Sequence, residues 1–149
     1  MFGSLNLYPG DPLPQSLLGA VSSSSVVGFA GNRNLQLPFE YCWFIVDFFS
    51  ASGCGFAVGC AGGVDRSFLN VLSLPEFRGR SLFYRAFPSR SSLGLPVAFT
   101  SPSSLPPRRA LGLRTDRFVQ GSSMIVLFPA DWGRGSSPEL IGTDLMLTT

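Results

Sequence analysis

The chain has 149 residues, of which 45% are hydrophobic and 13% charged, so its composition is typical of one folded domain with a sizeable core. The formal net charge of +2 is too small to indicate nucleic acid by itself, although all eleven basic residues are arginines, which suit bidentate phosphate contacts. Histidine is absent, which excludes His general bases, Ser–His and Cys–His nucleophile pairs and most zinc sites.

Cysteine usage indicates a reducing compartment. Cys42, Cys54 and Cys60 are odd in number and form no CxxC, so neither a disulfide framework nor a metal site is predicted. The N-terminus lacks the positive region of a signal peptide. The most apolar run, Tyr41–Phe49, contains Asp47 and is too short to cross a bilayer. We therefore expect a cytoplasmic protein with no membrane partner, no metal and no cofactor.

The first 25 residues are predicted to be a lead-in segment, and residues 26–149 a single domain. The lead-in contains Pro9, Pro12 and Pro14, and the residues after them, around Gln15–Ala20, can form a short helix. The domain begins with a buried strand over Val26–Phe29.

A turn of Gly31, Asn32 and Arg33 follows this strand. In an open α/β sheet, ligands bind in the crevice at the carboxyl ends of the strands, where backbone N–H groups can bind an anion. Arg33 would add a planar, permanently charged fork for a phosphate. This turn is therefore predicted to hold a phosphate.

The next predicted element is a helix over Phe39–Ala51, with Pro38 fitting its start. Its sequence is apolar nearly all round, which is typical of a helix that is buried on most sides or lies at an oligomer interface. We expect a homo-oligomer formed through the Phe39–Phe49 helix.

A second strand, over Phe56–Val58, runs into a glycine-rich turn and then a helix over Val64–Leu72. The turn exposes many backbone N–H groups with little side-chain bulk, as close approach to a phosphate or ribose requires. Gly62, Gly63 and Asp65 are the candidate ligand-binding residues. A tight turn between strand and helix, with Asp65 favoured by the helix dipole, is the alternative interpretation.

The remainder of the chain predicts a third strand over Ser81–Phe87, a long Ser- and Pro-rich loop over 88–107, and a helix from Pro106 to Gln120. A buried strand over Met124–Phe128 and a last helix over Ser137–Leu147 complete the pattern. Such alternation predicts an α/β, three-layer Rossmann-like domain with a mostly parallel sheet of about four to five strands.

A third turn lies between the last strand and the last helix. Its glycines free the backbone, its serine hydroxyls can donate hydrogen bonds, and its arginine can reach an anion. Right-handed crossovers would bring all three turns to one edge of the sheet. The serines and Glu139 are equally explained as ordinary chemistry at a helix N-terminus. The candidate ligand-binding residues of this turn are Pro129, Gly133, Arg134, Gly135, Ser136 and Ser137.

Arginines also follow one another along the predicted Pro106–Gln120 helix. Arg114 and Arg117 are one turn apart and share a face, and Arg108 and Arg109 stand at the helix start. This pattern is consistent with a basic stripe for phosphates or a nucleic-acid backbone, or with a solvated helix face.

The turn sequences resemble those of the SLOG superfamily of Rossmann-like nucleotide-binding domains, over roughly residues 26–147. Residues 59–65, GCAGGVD, are similar to the G-x-A-x-G-[VI]-D turn of the DNA-processing protein A-like members. Gly31-Asn32-Arg33 is similar to their G-S-R turn, with Asn32 in place of Ser. The resemblance implies a domain that binds a nucleotide or single-stranded nucleic acid through phosphate, in DNA processing or nucleotide sensing.

The Lonely Guy-like branch of the same superfamily implies an alternative. Residues 133–139 are similar to the end of its PGGxGTxxE motif, whereas Asp131 and Trp132 depart from it. Under this alternative the protein is a phosphoribohydrolase that cleaves the N-glycosidic bond of a nucleoside monophosphate, with Arg114 and Glu139 catalytic. Whether the chain is an enzyme is left open by the sequence.

Overall fold

A computed structural model describes residues 3–4, 25–128 and 139–142 of the chain. The strands are β1 (Gly3–Ser4), β2 (Val26–Gly31), β3 (Gly55–Val58), β4 (Ser81–Arg85), β5 (Val97–Thr100), β6 (Met124–Phe128) and β7 (Glu139–Gly142). The helices are α1 (Phe39–Ala51), α2 (Val64–Leu72), α3 (Pro75–Arg78) and α4 (Pro107–Gln120).

The strands form one sheet in the order β1-β7-β6-β2-β3-β4-β5. Strands β2 to β6 are all parallel, while β7 runs antiparallel to β6 and β1 antiparallel to β7. The chain leaves β2 towards β3 on one side and returns through α4 to β6 on the other, which makes the β2–β6 boundary a topological switch point. The α/β, Rossmann-like prediction is confirmed, with five parallel strands.

One face of the sheet packs against α1 and α2 through large aromatic side chains. Alternate residues of each strand point to this face, as the two-residue period of a strand requires. The Phe29 ring of β2 stacks on the Phe68 ring of α2 with centroids 4.1 Å apart. The Phe56 ring of β3 also stacks with Phe29, with centroids 6.0 Å apart. All three side chains are buried, and they form the centre of the main hydrophobic core.

The opposite face carries small residues in β2 and β3, namely Gly28, Ala30 and Ala57. Here α4 packs on the sheet through Phe118 and Val119. A Cβ atom on Gly28 would lie 2.7 Å from the Phe118 ring, so only glycine permits this close approach of helix to strand. The core on this face is correspondingly small.

Helix α1 is buried on one side rather than all round. Tyr41, Ile45 and Phe49 face the core, whereas Phe39 is 46% exposed and Trp43 is 38% exposed. The predicted helix is confirmed, but it is not buried on most sides, which was one of the two predicted alternatives. The other alternative, a homo-oligomer through this helix, stays a prediction. Within the described residues, no helix has the length and apolar character needed to cross a membrane.

The predicted final helix over Ser137–Leu147 is wrong where the structure describes it, because residues 139–142 form strand β7. Local helix-start chemistry in the Ser-Ser-Pro-Glu sequence is overridden by pairing with β6, in which Ile125 lies opposite Ile141. This pairing satisfies the backbone groups of a β6 edge that would otherwise be open.

The predicted loop over 88–107 is also partly wrong, since it contains β5, which pairs in parallel with β4. Its three apolar residues, Val97 to Phe99, are a short run inside a Ser- and Pro-rich stretch, and the strand forms at the edge of the sheet by pairing with β4. The short helix α3 and the edge strand β1 were not predicted, and the helix proposed around Gln15–Ala20 lies outside the described residues.

Candidate functional site

A cavity of about 440 Å³ lies at the carboxyl ends of β2, β3 and β6, against α4. It is therefore at the switch point of the sheet, between the parallel strands β2 and β6, where the order in which strands are added reverses. The residues that the two described turns contribute to its lining are Gly31, Asn32, Gly59, Ala61 and Asp65. Strands and helix contribute Ala30, Arg114, Thr115, Phe118, Val119, Ile125, Leu127 and Phe128.

The structure brings the first two predicted turns into direct contact. The Val64 N–H donates to the Asn32 carbonyl at 3.3 Å, and Gly63 has a φ of +63°, which favours glycine. A Cβ on Gly63 would collide with the carbonyl groups of Asn32 and Arg33, and one on Gly62 would lie 3.3 Å from the Arg33 oxygen. Gly62 and Gly63 thus serve the packing of one turn on the other and do not line the cavity.

The first turn presents backbone and an amide side chain rather than a basic one. Asn32 Oδ1 accepts a hydrogen bond from the Asn34 N–H at 2.7 Å, which closes an Asx turn. A Cβ on Gly31 would lie 2.6 Å from the Phe128 carbonyl oxygen, so glycine is required here. The Arg33 side chain is exposed and is not among the cavity-lining residues.

An ion pair closes one end of the cavity. Arg114 Nη1 of α4 lies 3.3 Å from Asp65 Oδ2 of α2, and the two side chains are only 12% and 8% exposed. The Ala61 N–H donates to the same Asp65 oxygen at 3.1 Å. Asp65 Oδ1 accepts no hydrogen bond from the described residues. The pair links the helices on the two faces of the sheet across its carboxyl edge.

Burial raises the pKa of the Asp65 carboxyl above its ordinary value, while the charge of Arg114 and the hydrogen bonds from Ala61 and Arg114 act in the opposite direction. Arg114 Nε is also buried and has no hydrogen-bond partner within the described residues. An unpaired buried donor costs about 1–3 kcal/mol. The arginine is therefore held in this position by its other contacts.

Gly59 makes room for the arginine. A Cβ at this position would collide with Arg114 Nη1 and would lie 2.7 Å from Asp65 Oδ2. The guanidinium group thus lies directly against the backbone at the end of β3, and a side chain at position 59 would displace it from Asp65. The glycines of the 59–63 turn were predicted to let a phosphate approach the backbone. At Gly59 the group that approaches the backbone is instead the Arg114 side chain.

The rest of the cavity wall is mostly apolar. Phe118 and Val119 line it from α4, and Ile125 and Leu127 from β6. Sequence reasoning missed these residues because their apolar runs are also typical of core elements. The spacing of four residues between Arg114 and Phe118, which places both on one face of α4, could have indicated that Phe118 lies beside the site.

The third predicted turn is not tested by the structure. Pro129, Gly133, Arg134, Gly135, Ser136 and Ser137 all lie outside the described residues. Glu139 begins β7 and pairs across the ladder with Leu127, so its backbone lies beside a cavity-lining residue. In the part of the chain that is described, no group of three Cys, Asp or Glu residues is placed to hold a metal ion.

Comparisons with known protein families, with curated proteins and with solved structures found no match to this chain. The SLOG resemblance therefore stays a prediction. What the structure adds is the position of its best-matching residues, 59–65, at a strand–turn–helix junction that borders the cavity.

Proposed function

We propose that the protein binds a nucleotide in the cavity between the carboxyl ends of β2 and β6 and helix α4. The observation that carries this proposal is a cavity of about 440 Å³ at the switch point of a parallel sheet, with a polar ion pair at one end and an apolar wall along its side. Ligand pockets of small molecules are mostly apolar clefts of roughly 300–1,000 Å³ with a few polar groups that fix orientation.

The apolar wall suits a flat ring. Phe118 and Val119 offer aromatic and branched aliphatic atoms at the cavity wall, and a base packed against them would gain van der Waals contact. Leu127, which is half-buried, extends this wall towards the edge of the sheet.

The polar end suits a hydrogen-bond donor. An ionised carboxylate only accepts hydrogen bonds, and Asp65 uses Oδ2 for Ala61 and Arg114. Oδ1 can therefore accept from a ribose hydroxyl or an exocyclic amine. Because a phosphate beside a carboxylate is repelled, we place the phosphate towards the Gly31–Asn32 turn, where backbone N–H groups can meet it.

We further propose that the domain is a SLOG-like one, acting in DNA processing or nucleotide sensing. Two features support this proposal: the GCAGGVD sequence runs from the end of β3 into the first residues of α2, and the GNR sequence begins at the last residue of β2. Strand ends of this kind are where the resemblance implies the phosphate-binding turns.

A thermal-shift screen over nucleotides tests the proposal directly. At a ligand concentration of 100 times Kd, binding is expected to stabilise the folded chain by about 2.7 kcal/mol. Ala30→Leu, which places bulk in the cavity, should abolish the shift. Ala51→Leu makes the same change at an exposed position of α1 and should retain it. The absence of a shift with every nucleotide class would contradict the proposal.

Binding of single-stranded DNA would extend the proposal from nucleotides to nucleic acid. A mobility shift that weakens steeply with salt is expected if arginines neutralise backbone phosphates. The exposed Arg33 is the residue to test, since its side chain is available outside the cavity. A shift that survives Arg33→Ala unchanged would exclude this turn as the contact.

A phosphoribohydrolase is the second candidate function, because the two residues that it requires lie near the same cavity. Arg114 lines the cavity, and Glu139 pairs through its backbone with Leu127. Under this proposal, Glu139→Gln should reduce hydrolysis of nucleoside monophosphates by at least about a hundredfold, as loss of a general acid does. Activity that persists in this variant would exclude the mechanism.

A further inference from the structure

The segment after β4 reaches back to hold the turn between β3 and α2. The Ala86 N–H donates to Cys60 Sγ at 3.2 Å. Arg90 Nη1 donates to the Cys60 carbonyl oxygen at 2.6 Å and lies 3.9 Å from the same sulfur. A residue of the Ser- and Pro-rich loop thus contacts the turn that borders the cavity.

Arg90 is itself held in place from several sides. Its guanidinium group lies over the Phe87 ring, 5.3 Å from the centroid. Its carbonyl oxygen accepts a hydrogen bond from Arg85 Nη1 at 3.3 Å, and Arg85 Nε donates to Thr100 Oγ1 of β5 at 2.8 Å. Because these contacts already restrain Arg90, its side chain loses little conformational entropy when it binds the Cys60 carbonyl.

The Cys60 carbonyl and the Ala61 N–H belong to one planar peptide unit and point in opposite directions. The carbonyl is bound by Arg90, and the N–H is bound by Asp65 Oδ2 at 3.1 Å. If this unit rotated, the carbonyl oxygen would face the carboxylate, and the two would repel. Arg90 therefore opposes the rotation from the far side of the peptide.

We infer that Arg90 is a positioning residue of the cavity: it orients the Cys60–Ala61 peptide so that the Ala61 N–H engages Asp65 Oδ2 and leaves Oδ1 for a ligand. The inference rests on the proposed nucleotide function as far as the ligand is concerned. The orientation of the peptide is a property of the chain alone and can be measured without ligand.

The first measurement is nucleotide affinity in the full-length chain, by calorimetry with the nucleotide that gives the largest thermal shift. Arg90→Ala is expected to weaken affinity about tenfold, which corresponds to about 1.4 kcal/mol. Arg90→Lys keeps a donor for the carbonyl and should recover affinity to within about threefold of the wild type. Arg108→Ala removes the same charge from an exposed position at the start of α4 and should leave affinity unchanged.

The second measurement is amide hydrogen exchange of Ala61 by NMR, without nucleotide. In Arg90→Ala the Ala61 amide should exchange at least about tenfold faster, whereas the amide of Phe68 in α2 should be unaffected. Arg90→Lys should restore the protection of Ala61. Unchanged exchange at Ala61 would overturn the inference, and so would equal acceleration at Phe68, which would show a loss of general stability only. If no nucleotide binds the wild type, the proposed function fails, and the exchange result still decides the role of Arg90.

Discussion

On the face of the sheet that carries α1 and α2, alternate strand residues are large and interlock, as Phe29 does with Phe68. On the face that carries α4, the same strands present Gly28, Ala30 and Ala57, and a cavity lies at their carboxyl ends. The two faces thus differ in side-chain size although they share every strand.

Successive residues of a strand point to opposite faces of the sheet. Residues that build the stabilising core and residues that leave room for a ligand therefore alternate along β2 and β3. Substituting one residue affects the aromatic core, whereas substituting its neighbour affects the cavity. Variants on opposite faces should therefore have different consequences, and the following four predictions test this comparison.

Phe29→Ala is expected to have the largest effect, a loss of about 3–5 kcal/mol in the free energy of unfolding, because it opens a void in the close-packed aromatic core. Urea denaturation measures it. Phe39→Ala makes the same change on the exposed side of α1 and should stay within about 0.5 kcal/mol of the wild type. Similar losses in both variants would contradict the assignment of the core to this face.

Gly59→Ala is expected to destabilise by about 1–3 kcal/mol, because the added methyl group displaces the Arg114 guanidinium and leaves the buried Asp65 carboxylate without its partner. The matched control is Gly112→Ala in α4, where a Cβ meets nothing within 4 Å. There the same substitution should stabilise by about 0.5–1 kcal/mol, since alanine favours the helix. Thermal unfolding of the two variants should therefore shift in opposite directions, and shifts of one sign would refute the close packing at Gly59.

The stability contributed by Asp65 is expected to fall as pH rises. Since burial raises its folded-state pKa, the contribution is fully present below the unfolded pKa and lost as pH rises through the folded value. The free energy of unfolding of the wild type minus that of Asp65→Asn should decrease by up to about 1.4 kcal/mol per pH unit above an ordinary Asp pKa of about 3.9. An increase over this range would mean that Arg114 and the Ala61 N–H outweigh burial.

Ala30→Leu is expected to have the smallest effect on stability, a change below about 1 kcal/mol, because the cavity offers room for the longer side chain. Ala57→Leu lies on the same face but is fully buried, so overpacking there should cost about 1–3 kcal/mol. Equal costs at the two positions in chemical denaturation would show that the cavity does not extend to Ala30.

Much of the fold could be predicted from the sequence, because the central elements obey local rules. The apolar run Met124–Phe128 formed β6, and the predicted bounds of α1 and α2 match those observed. The elements that were predicted wrongly are those whose structure depends on pairing with a distant strand. β5 is a short strand within a Ser- and Pro-rich stretch and forms by pairing with β4, and residues 139–142 form a strand because β6 offers them partners.

The site was predicted only in part. Asp65 and Arg114 were each singled out, but their pairing could not be read from positions 49 residues apart, since it depends on α2 and α4 meeting at one sheet edge. The role of Arg90 was missed for the same reason: its contact with the Cys60 carbonyl depends on the path of a loop. Long-range contacts of this kind leave no local periodicity.

The pairing of β2 with β6 also sets when the cavity can form. Val27 lies opposite Met124, and the Val26 N–H donates to Ser123 Oγ, a residue 97 positions further along the chain. Such long-range pairing must overcome the entropy of closing a large loop and is therefore slow. During synthesis, β2, β3 and their helices can assemble the aromatic core first, whereas the cavity is complete only after β6 has emerged. A chain that binds ligand would then be one in which β6 has already paired with β2.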